Sequence, residues 1–328
     1  MLRFLVKRVF YIIFVLFIVA IGMFVLFQFM PGDPALVMME GMQQDMTPEQ
    51  FAEAYARARE IMGLDEPVFT QFFIWMGNML TGNFGYSFLN RAPVLDVIAA
   101  PMRWTFTMNI MVMILVFIVT IPVGIYAAIK RGKMFDNGAL VFTMVGFSFP
   151  AFLFALILIL IFAIFLQWLP INGMASMPPP PEGTLTWYLD RLRFMALPMM
   201  ALTLGGMAGM MRFVRASMID ALNMDCIRTA RSKGLGAKIV VYSHAFRNAL
   251  IPIITVMTGF FIGIFSGSVV IERTFSWNGM GDVMLSALSN QDWAVVMSMN
   301  VFYALISFVV LLFMDIAYVI ADPRIRFE

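Results

Sequence analysis

The sequence predicts an all-α polytopic membrane protein, with six transmembrane helices and a mostly helical extracytoplasmic insertion between spans 1 and 2. Three observations carry this expectation. Hydrophobic residues make up 61% of the 328 and charged residues only 13%, whereas about a quarter of a soluble domain is charged. Mean hydropathy is +0.87. Six windows each supply the roughly 20 apolar residues that a bilayer core about 30 Å thick requires.

The first window, Val9 to Phe29, is too apolar over too long a run for a cleaved leader. No small-x-small site follows it, so it reads as a retained anchor. The others are Thr105 to Ile129, Ala139 to Leu169, Phe194 to Met211, Leu250 to Ile271 and Ala294 to Ile320. The third is longer than a straight span needs, and Pro150 inside it predicts a kink or break. Lys and Arg concentrate in alternate loops: Arg3, Lys7, Arg8, Lys130, Arg131, Lys133, the run from Arg212 to Arg247, Arg324 and Arg326. The positive-inside rule then puts both termini in the cytoplasm. The acids gather in the opposite loops.

These boundaries divide the chain into a tail with the first span (1–29), an insertion (30–103) and a five-span core (104–328). In the insertion, Thr47-Pro48-Glu49-Gln50 reads as a helix start, with Gly63 as the stop. Val68 to Leu80 forms a second, aromatic-rich amphipathic segment. Four consecutive prolines, Pro178 to Pro181, stiffen the next outer loop. The last outer loop, 272–292, contains Trp277-Asn278-Gly279-Met280-Gly281 and is placed to dip toward the mouth of a pore.

Catalytic chemistry is thinly supplied. One His and one Cys cannot build a His/Cys metal cluster, and no G-x-x-x-x-G-K-[ST] phosphate loop occurs. The chain is therefore expected to be no enzyme and to hold no cofactor or metal. A net charge of +2 does not imply nucleic acid.

Polar groups within spans are costly and mark candidate paths. Asn109, Thr203, Ser266 and Asn300 are the candidates for a translocation path, although each could equally serve as a helix-packing hydrogen bond. Asp315, the one acid within a span, lies near its inner end and is expected to pair with a basic residue there. Gly205 and Gly209 on span 4, and Gly259, Gly263 and Gly267 on span 5, recur every four residues and predict close helix packing or gating. The methionines of span 4 are ordinary gap-filling or a pliable lining for varied cargo.

The longest cytoplasmic segment, 217–249, exceeds what topology alone needs. It has its own helix–turn–helix pattern, broken at Gly234 and Gly236. Its residues Arg228-Thr229-Ala230-Arg231-Ser232-Lys233-Gly234-Leu235 and His244-Ala245-Phe246-Arg247-Asn248-Ala249-Leu250-Ile251-Pro252 resemble the ATPase-coupling motif of ABC importer permeases. They match the form found in the B-type branch of the dipeptide/oligopeptide/nickel transporter family. The general pattern of that motif opens Glu-Ala-Ala and closes on proline; here those positions hold Arg228-Thr229-Ala230 and Arg247. Pro31-Gly32-Asp33-Pro34, Met62 to Pro67, and Leu80 to Ser87 agree with the same branch.

The resemblance implies a six-span permease of the bacterial inner membrane, paired with a C-type permease. Two cytoplasmic ATPases holding ATP and Mg, and an external solute-binding protein, would complete the importer. It implies that Arg228, Thr229, Ala230, Arg231, Lys233, Gly234, Leu235 and Arg247 serve ATPase coupling, with residues 217–236 as the coupling helix. Short peptides are the implied cargo, with nickel complexes, glutathione-like compounds and oligosaccharides as alternatives. A stand-alone carrier or channel, or an intramembrane enzyme, are the competing classes.

Overall fold

The computed structural model describes residues 2–29, 33–39 and 46–321. Pro31, Gly32, Arg324 and Arg326 of the readings above lie outside the described residues. The chain divides into two compact units, Met1–Pro101 with Val283–Phe308, and Met102–Asp282 with Val309–Glu328. Sequence boundaries at 30 and 104 do not show this grouping, because the start of the last span folds with the insertion.

In the first unit, α1 (Leu2–Gln28) sets Ala20 and Phe24 against Phe72 of α4 (Val68–Leu80). The Phe24 and Phe72 rings meet edge-on at 5.4 Å between centroids, a preferred aromatic geometry. Short α2 (Pro34–Met39) packs on α3 (Pro48–Met62) through Ala35, Met39 and Ala58. Thr47 and Gln50 exchange reciprocal hydrogen bonds at the start of α3, and Gly63 ends it at φ 66°. Both features follow from local capping chemistry.

Asp33, just before α2, ties that end of α2 to α3. Its carboxylate accepts from the Tyr55 hydroxyl, from Arg59 and from the Ala35 amide. Burial pushes the Asp33 carboxyl up, but the hydrogen bonds from Tyr55 and Ala35 and the Arg59 charge outweigh it and hold it below its usual value. A depressed carboxyl stabilises the fold above its unfolded value near 3.8 and loses that contribution as pH falls through the folded value. The insertion should therefore keep this anchor at neutral pH and lose it only in strong acid. Asp33→Asn should open it at pH 7 by about 1–2 kcal/mol, roughly five- to thirty-fold in the open population. Trypsin cleavage near Arg57 and Arg59 at pH 7 measures the change; wild-type cleavage rates in the variant would count against it.

The hairpin of β1 (Tyr86–Ser87) and β2 (Ala92–Pro93) is tied to the last span. Ser87 Oγ donates to buried Asp292 at 2.5 Å, and Ser298 Oγ donates to the Phe84 carbonyl at 2.9 Å.

The second unit holds most of α5 (Val94–Ile129), followed by α6 (Met134–Ser148), α7 (Ala151–Leu158) and α8 (Leu185–Leu222). Next come α9 (Asp225–Ser232), α10 (Ala237–Ile239), α11 (Phe246–Ile262) and α12 (Val269–Thr274). Helices α13 (Met280–Ser289) and α14 (Trp293–Ala321) complete the chain. Among the described residues, five helical segments are long and apolar enough to cross a membrane, or six if the bent pair α6 with α7 and its π-helical extension counts as one. That pair turns by 102°. Pro150 supplies no amide to the helix, and Phe149 before it is extended at φ −97°, ψ 127°. The third predicted span is thus sharply broken rather than kinked.

The fifth predicted span also needs correcting at its end. Its helix gives way to a 3-10 turn at Gly263–Phe265, and Ser266 and Ser268 are extended. Asn109 of α5 captures the carbonyls of Gly263, Ile264 and Ser266 at 3.1, 3.0 and 3.0 Å, which holds that end unwound. The main core gathers Val116, Ile125, Met210, Val214, Met218, Ile227, Val240 and Ile253 from α5, α8, α9, the π-helical segment Val240–Ala245 and α11.

Glycine packing differs from the expectation. A Cβ at Gly205, Gly259 or Gly263 would meet nothing within 4 Å, and one at Gly209 only the Phe147 ring at 3.7 Å. Among the described residues those faces are open. Close approach occurs instead at Gly124 against Val214 (2.8 Å), Gly146 against Ala208 (2.5 Å) and Gly206 against Val116 and Phe260 (3.1 and 3.2 Å). Gly267 is tightly packed too, but in the loop after the span, against Gly281 and Glu272. Spacing by four identifies a helix face; it does not say whether a neighbour covers that face.

Candidate functional site

The polar segment between α8 and α11 is built around α9. The predicted helix over 217–236 is in fact split: α8 runs on to Leu222, Asn223 caps it, and α9 restarts at Asp225. Ile227 and Ala230 are three apart, so they share one face of α9, and both are buried in the main core. Arg228, Thr229, Arg231 and Lys233 are exposed. The helix is therefore anchored by a narrow apolar stripe and turns its cations outward.

Its end is locally determined. The Leu235 amide donates to the Ala230 carbonyl at 3.3 Å and the Gly234 amide to Arg231 at 2.9 Å. Those two bonds form a Schellman closure, which places its penultimate residue in the left-handed region. Gly234 sits there at φ 76°, with no atom near a would-be Cβ, so a side chain here is opposed by the backbone and not by crowding. Beyond the turn, Leu235, Ile239 and Tyr242 are 38, 49 and 57% exposed. An apolar patch thus lies beside the exposed cations. Arg247 is exposed on α11. Asn248, one residue on, donates to the His244 carbonyl at 3.0 Å and to Cys226 Sγ of α9 at 3.7 Å.

Two turns before α8 ends, Arg215 clamps Asp136 of α6 through two nitrogens, one of them at 2.7 Å. The Gly132 amide adds a third donor to that carboxylate at 2.8 Å. Asp136 is only 1% exposed. This pair connects the α5–α6 turn to the helix that leads into α9. Sequence carries no signal for it, since an acid after a basic turn reads as an ordinary loop residue.

The candidate path residues fall in different places. Asn109 and Ser266 are brought together by the hydrogen bond above, and Asn109 lines a cavity of about 310 Å³ with Val112, Met113, Val256, Gly259 and Gly263. Thr203 lies in a separate depression of about 400 Å³ with Leu115, Met199, Met200 and Met207, and its hydroxyl has no hydrogen-bond partner among the described residues. Asn300 belongs to the other unit, where it bonds the Val296 carbonyl of its own helix at 2.8 Å. Of the span-4 methionines, Met199, Met210 and Met211 are buried and fill the interior, while Met200 and Met207 are half-buried.

Among the described residues, no group of three or more His, Cys, Asp or Glu side chains could hold a metal ion.

Two family models match the chain. Residues 120–327 match "Binding-protein-dependent transport system inner membrane component", and residues 1–111 match the N-terminal membrane component of the same systems. The oligopeptide transport system permease protein AppB of Bacillus subtilis is 34% identical over 328 residues, covering all of both chains. The di/tripeptide permease DppB of Pseudomonas aeruginosa is 34% identical and the glutathione permease GsiC of Escherichia coli K12 33%, again over full length. Among solved structures, the inward-facing MetNI methionine ABC transporter superposes with a TM-score of 0.53 at 15% identity. The match covers 71% of this chain and 98% of that one, and it shows the shared fold.

Proposed function

This chain belongs to the family of inner membrane components of binding-protein-dependent transport systems, and we propose that it forms one half of the path of a short-peptide importer. It is a multi-pass permease component of an ABC importer, not the catalytic one. Its proposed partners are a C-type permease, two ATPases that hold ATP and Mg, and a solute-binding protein on the far side of the bilayer. Both termini are proposed to be cytoplasmic, which puts α9 on the ATPase side.

The observation that carries the coupling proposal is the build of α9. Ile227 and Ala230 root it in the same core as α5, α8 and α11, so a push on its outer face reaches those helices directly. Arg228, Thr229, Arg231 and Lys233, with Leu235 beyond the Gly234 turn and Arg247 beside it, would meet an acidic and partly apolar groove. Gly259 and Gly263, which leave open space beside Asn109, support a path or a moving seam along α11, with Thr203, Ser266 and Asn300 as further proposed contacts.

Peptide cargo is favoured by the named substrates of two relatives, an oligopeptide and a di/tripeptide permease. Purification in mild detergent from its own operon context should yield the chain together with ATPase subunits. Uptake of a labelled tripeptide into vesicles should be competed by other short peptides, and not by nickel complexes or oligosaccharides. Solitary purification of an active chain, or competition by an oligosaccharide alone, would reject this function or this cargo respectively.

A further inference from the structure

The loop between α11 and α14 folds back into the helix bundle. Ile271 and Phe275 pack with Ala155 and Leu158 of α7 and Leu197 and Ala201 of α8. Trp277 joins the main core, and all three loop residues are at most 2% exposed. At the centre of this loop is a carboxylate with no accessible surface, Glu272. Among the described residues no cation pairs with it; Arg273, its neighbour, turns instead to Asp282 at 3.0 Å.

What surrounds Glu272 is a set of donors. Its Oε2 accepts from the Asp282 amide at 2.8 Å, the Gly281 amide adds a second bond, and Thr105 Oγ1 of α5 approaches Oε1 at 3.4 Å. Thr105 Oγ1 in turn accepts from the Met280 amide at 2.9 Å. These amides belong to the first turn of α13, where unpaired N–H groups and the helix dipole favour an anionic oxygen. The fit leaves room only for hydrogen at three glycines. A Cβ at Gly279 would fall 2.5 Å from the Glu272 carboxyl carbon, and one at Gly281 2.7 Å from the Val269 amide nitrogen and 3.0 Å from Glu272 Oε2. Gly267 faces the Gly281 backbone equally closely. Burial pushes the Glu272 carboxyl up, against the amides and the hydroxyl that pull it down. Pulling the loop off α5 would leave the Gly281 and Asp282 amides on Glu272 but break both links through Thr105 Oγ1, the one to Glu272 Oε1 and the one from the Met280 amide, each lost partner costing about 1–3 kcal/mol.

We propose that Glu272 is a positioning residue that fastens the folded-back loop to Thr105 of α5, so that loop and helix travel as one body through the transport cycle. The α11–α14 loop is then not a hinged lid. Any opening beside it must come from a seam elsewhere in the chain, and the open Gly259/Gly263 face is available for that. This inference rests on the permease reading, and the test separates the two.

In the complete reconstituted complex, Glu272→Ala should lower peptide uptake at least tenfold. Glu272→Gln keeps an acceptor for the amides and can turn its NH2 to the Thr105 oxygen, so it should retain at least half of wild-type uptake. Thr105→Val should lose several-fold and Thr105→Ser should restore it. The decisive measurement is a disulfide between Thr105→Cys and Met280→Cys in a Cys226→Ser background, its formation read by loss of titratable thiols. The bridged complex should transport at least as fast as its reduced form, which lacks the Thr105 hydroxyl. Uptake abolished by the bridge and recovered with reductant would show that loop and α5 separate in each cycle, and would overturn the proposal. So would wild-type uptake by Glu272→Ala. If Glu272→Ala does not assemble, the bridged pair decides alone. Absence of uptake in the wild-type complex would instead reject the permease reading.

Discussion

Reversing two charges on α9, Arg228→Glu with Arg231→Glu, should reduce uptake by the assembled importer at least tenfold while leaving the permease folded in the membrane. Both side chains are exposed, and neither contributes to the core that Ile227 and Ala230 join, so folding is spared. Like charges facing each other across an interface cost several kcal/mol, and every 1.4 kcal/mol is about tenfold in affinity. Association with the ATPases should weaken accordingly, and the wild-type interface should weaken as salt rises. Co-purification yield at two salt concentrations, alongside uptake, provides the measurement. Full uptake in the doubly reversed variant would place coupling elsewhere. Gly234→Val acts on the same element by a different cause: a β-branched side chain at φ 76° opposes the Schellman closure, and uptake should fall without loss of insertion.

The second large effect is on stability. Asp136→Ala should destabilise the permease by about 3 kcal/mol, near the low end for breaking a buried ion pair. Arg215 keeps 18% of its side-chain surface and can partly turn to water, which limits the loss. The Gly132 amide would be left without its acceptor as well. Arg215→Met in the Asp136→Ala background should recover part of the loss, because a matched apolar pair avoids the stranded charge. Thermal inactivation of the purified complex across the four combinations gives the coupling energy. Additive losses from the two single substitutions would show that the pair contributes nothing as a pair.

The features legible from sequence are those with local causes. The Thr47 cap and the Gly63 stop depend on residues three or four apart, and the structure has both. The break at Pro150 is likewise local, but its 102° angle is set by what α6 and α7 pack against, and no nearby residue encodes that. The end of α11 is not local: Asn109, some 150 positions earlier in the chain, binds the carbonyls of Gly263, Ile264 and Ser266 just beyond it. Gly124, Gly146 and Gly206 belong to no regular four-residue series, and periodicity cannot distinguish a covered face from an open one. Glu272 read as an ordinary outer-loop acid. The signal that could have found it is a lone carboxylate between Gly267 and the pair Gly279 and Gly281.

The central claim is that this chain moves solute only when separate ATPases drive it through α9. Vesicles carrying both permeases, with ATP inside and binding protein plus labelled tripeptide outside, test it most directly when prepared with and without the two ATPase subunits. Accumulation above the external concentration is expected only where the ATPases are present. Accumulation by the permeases alone would contradict the claim.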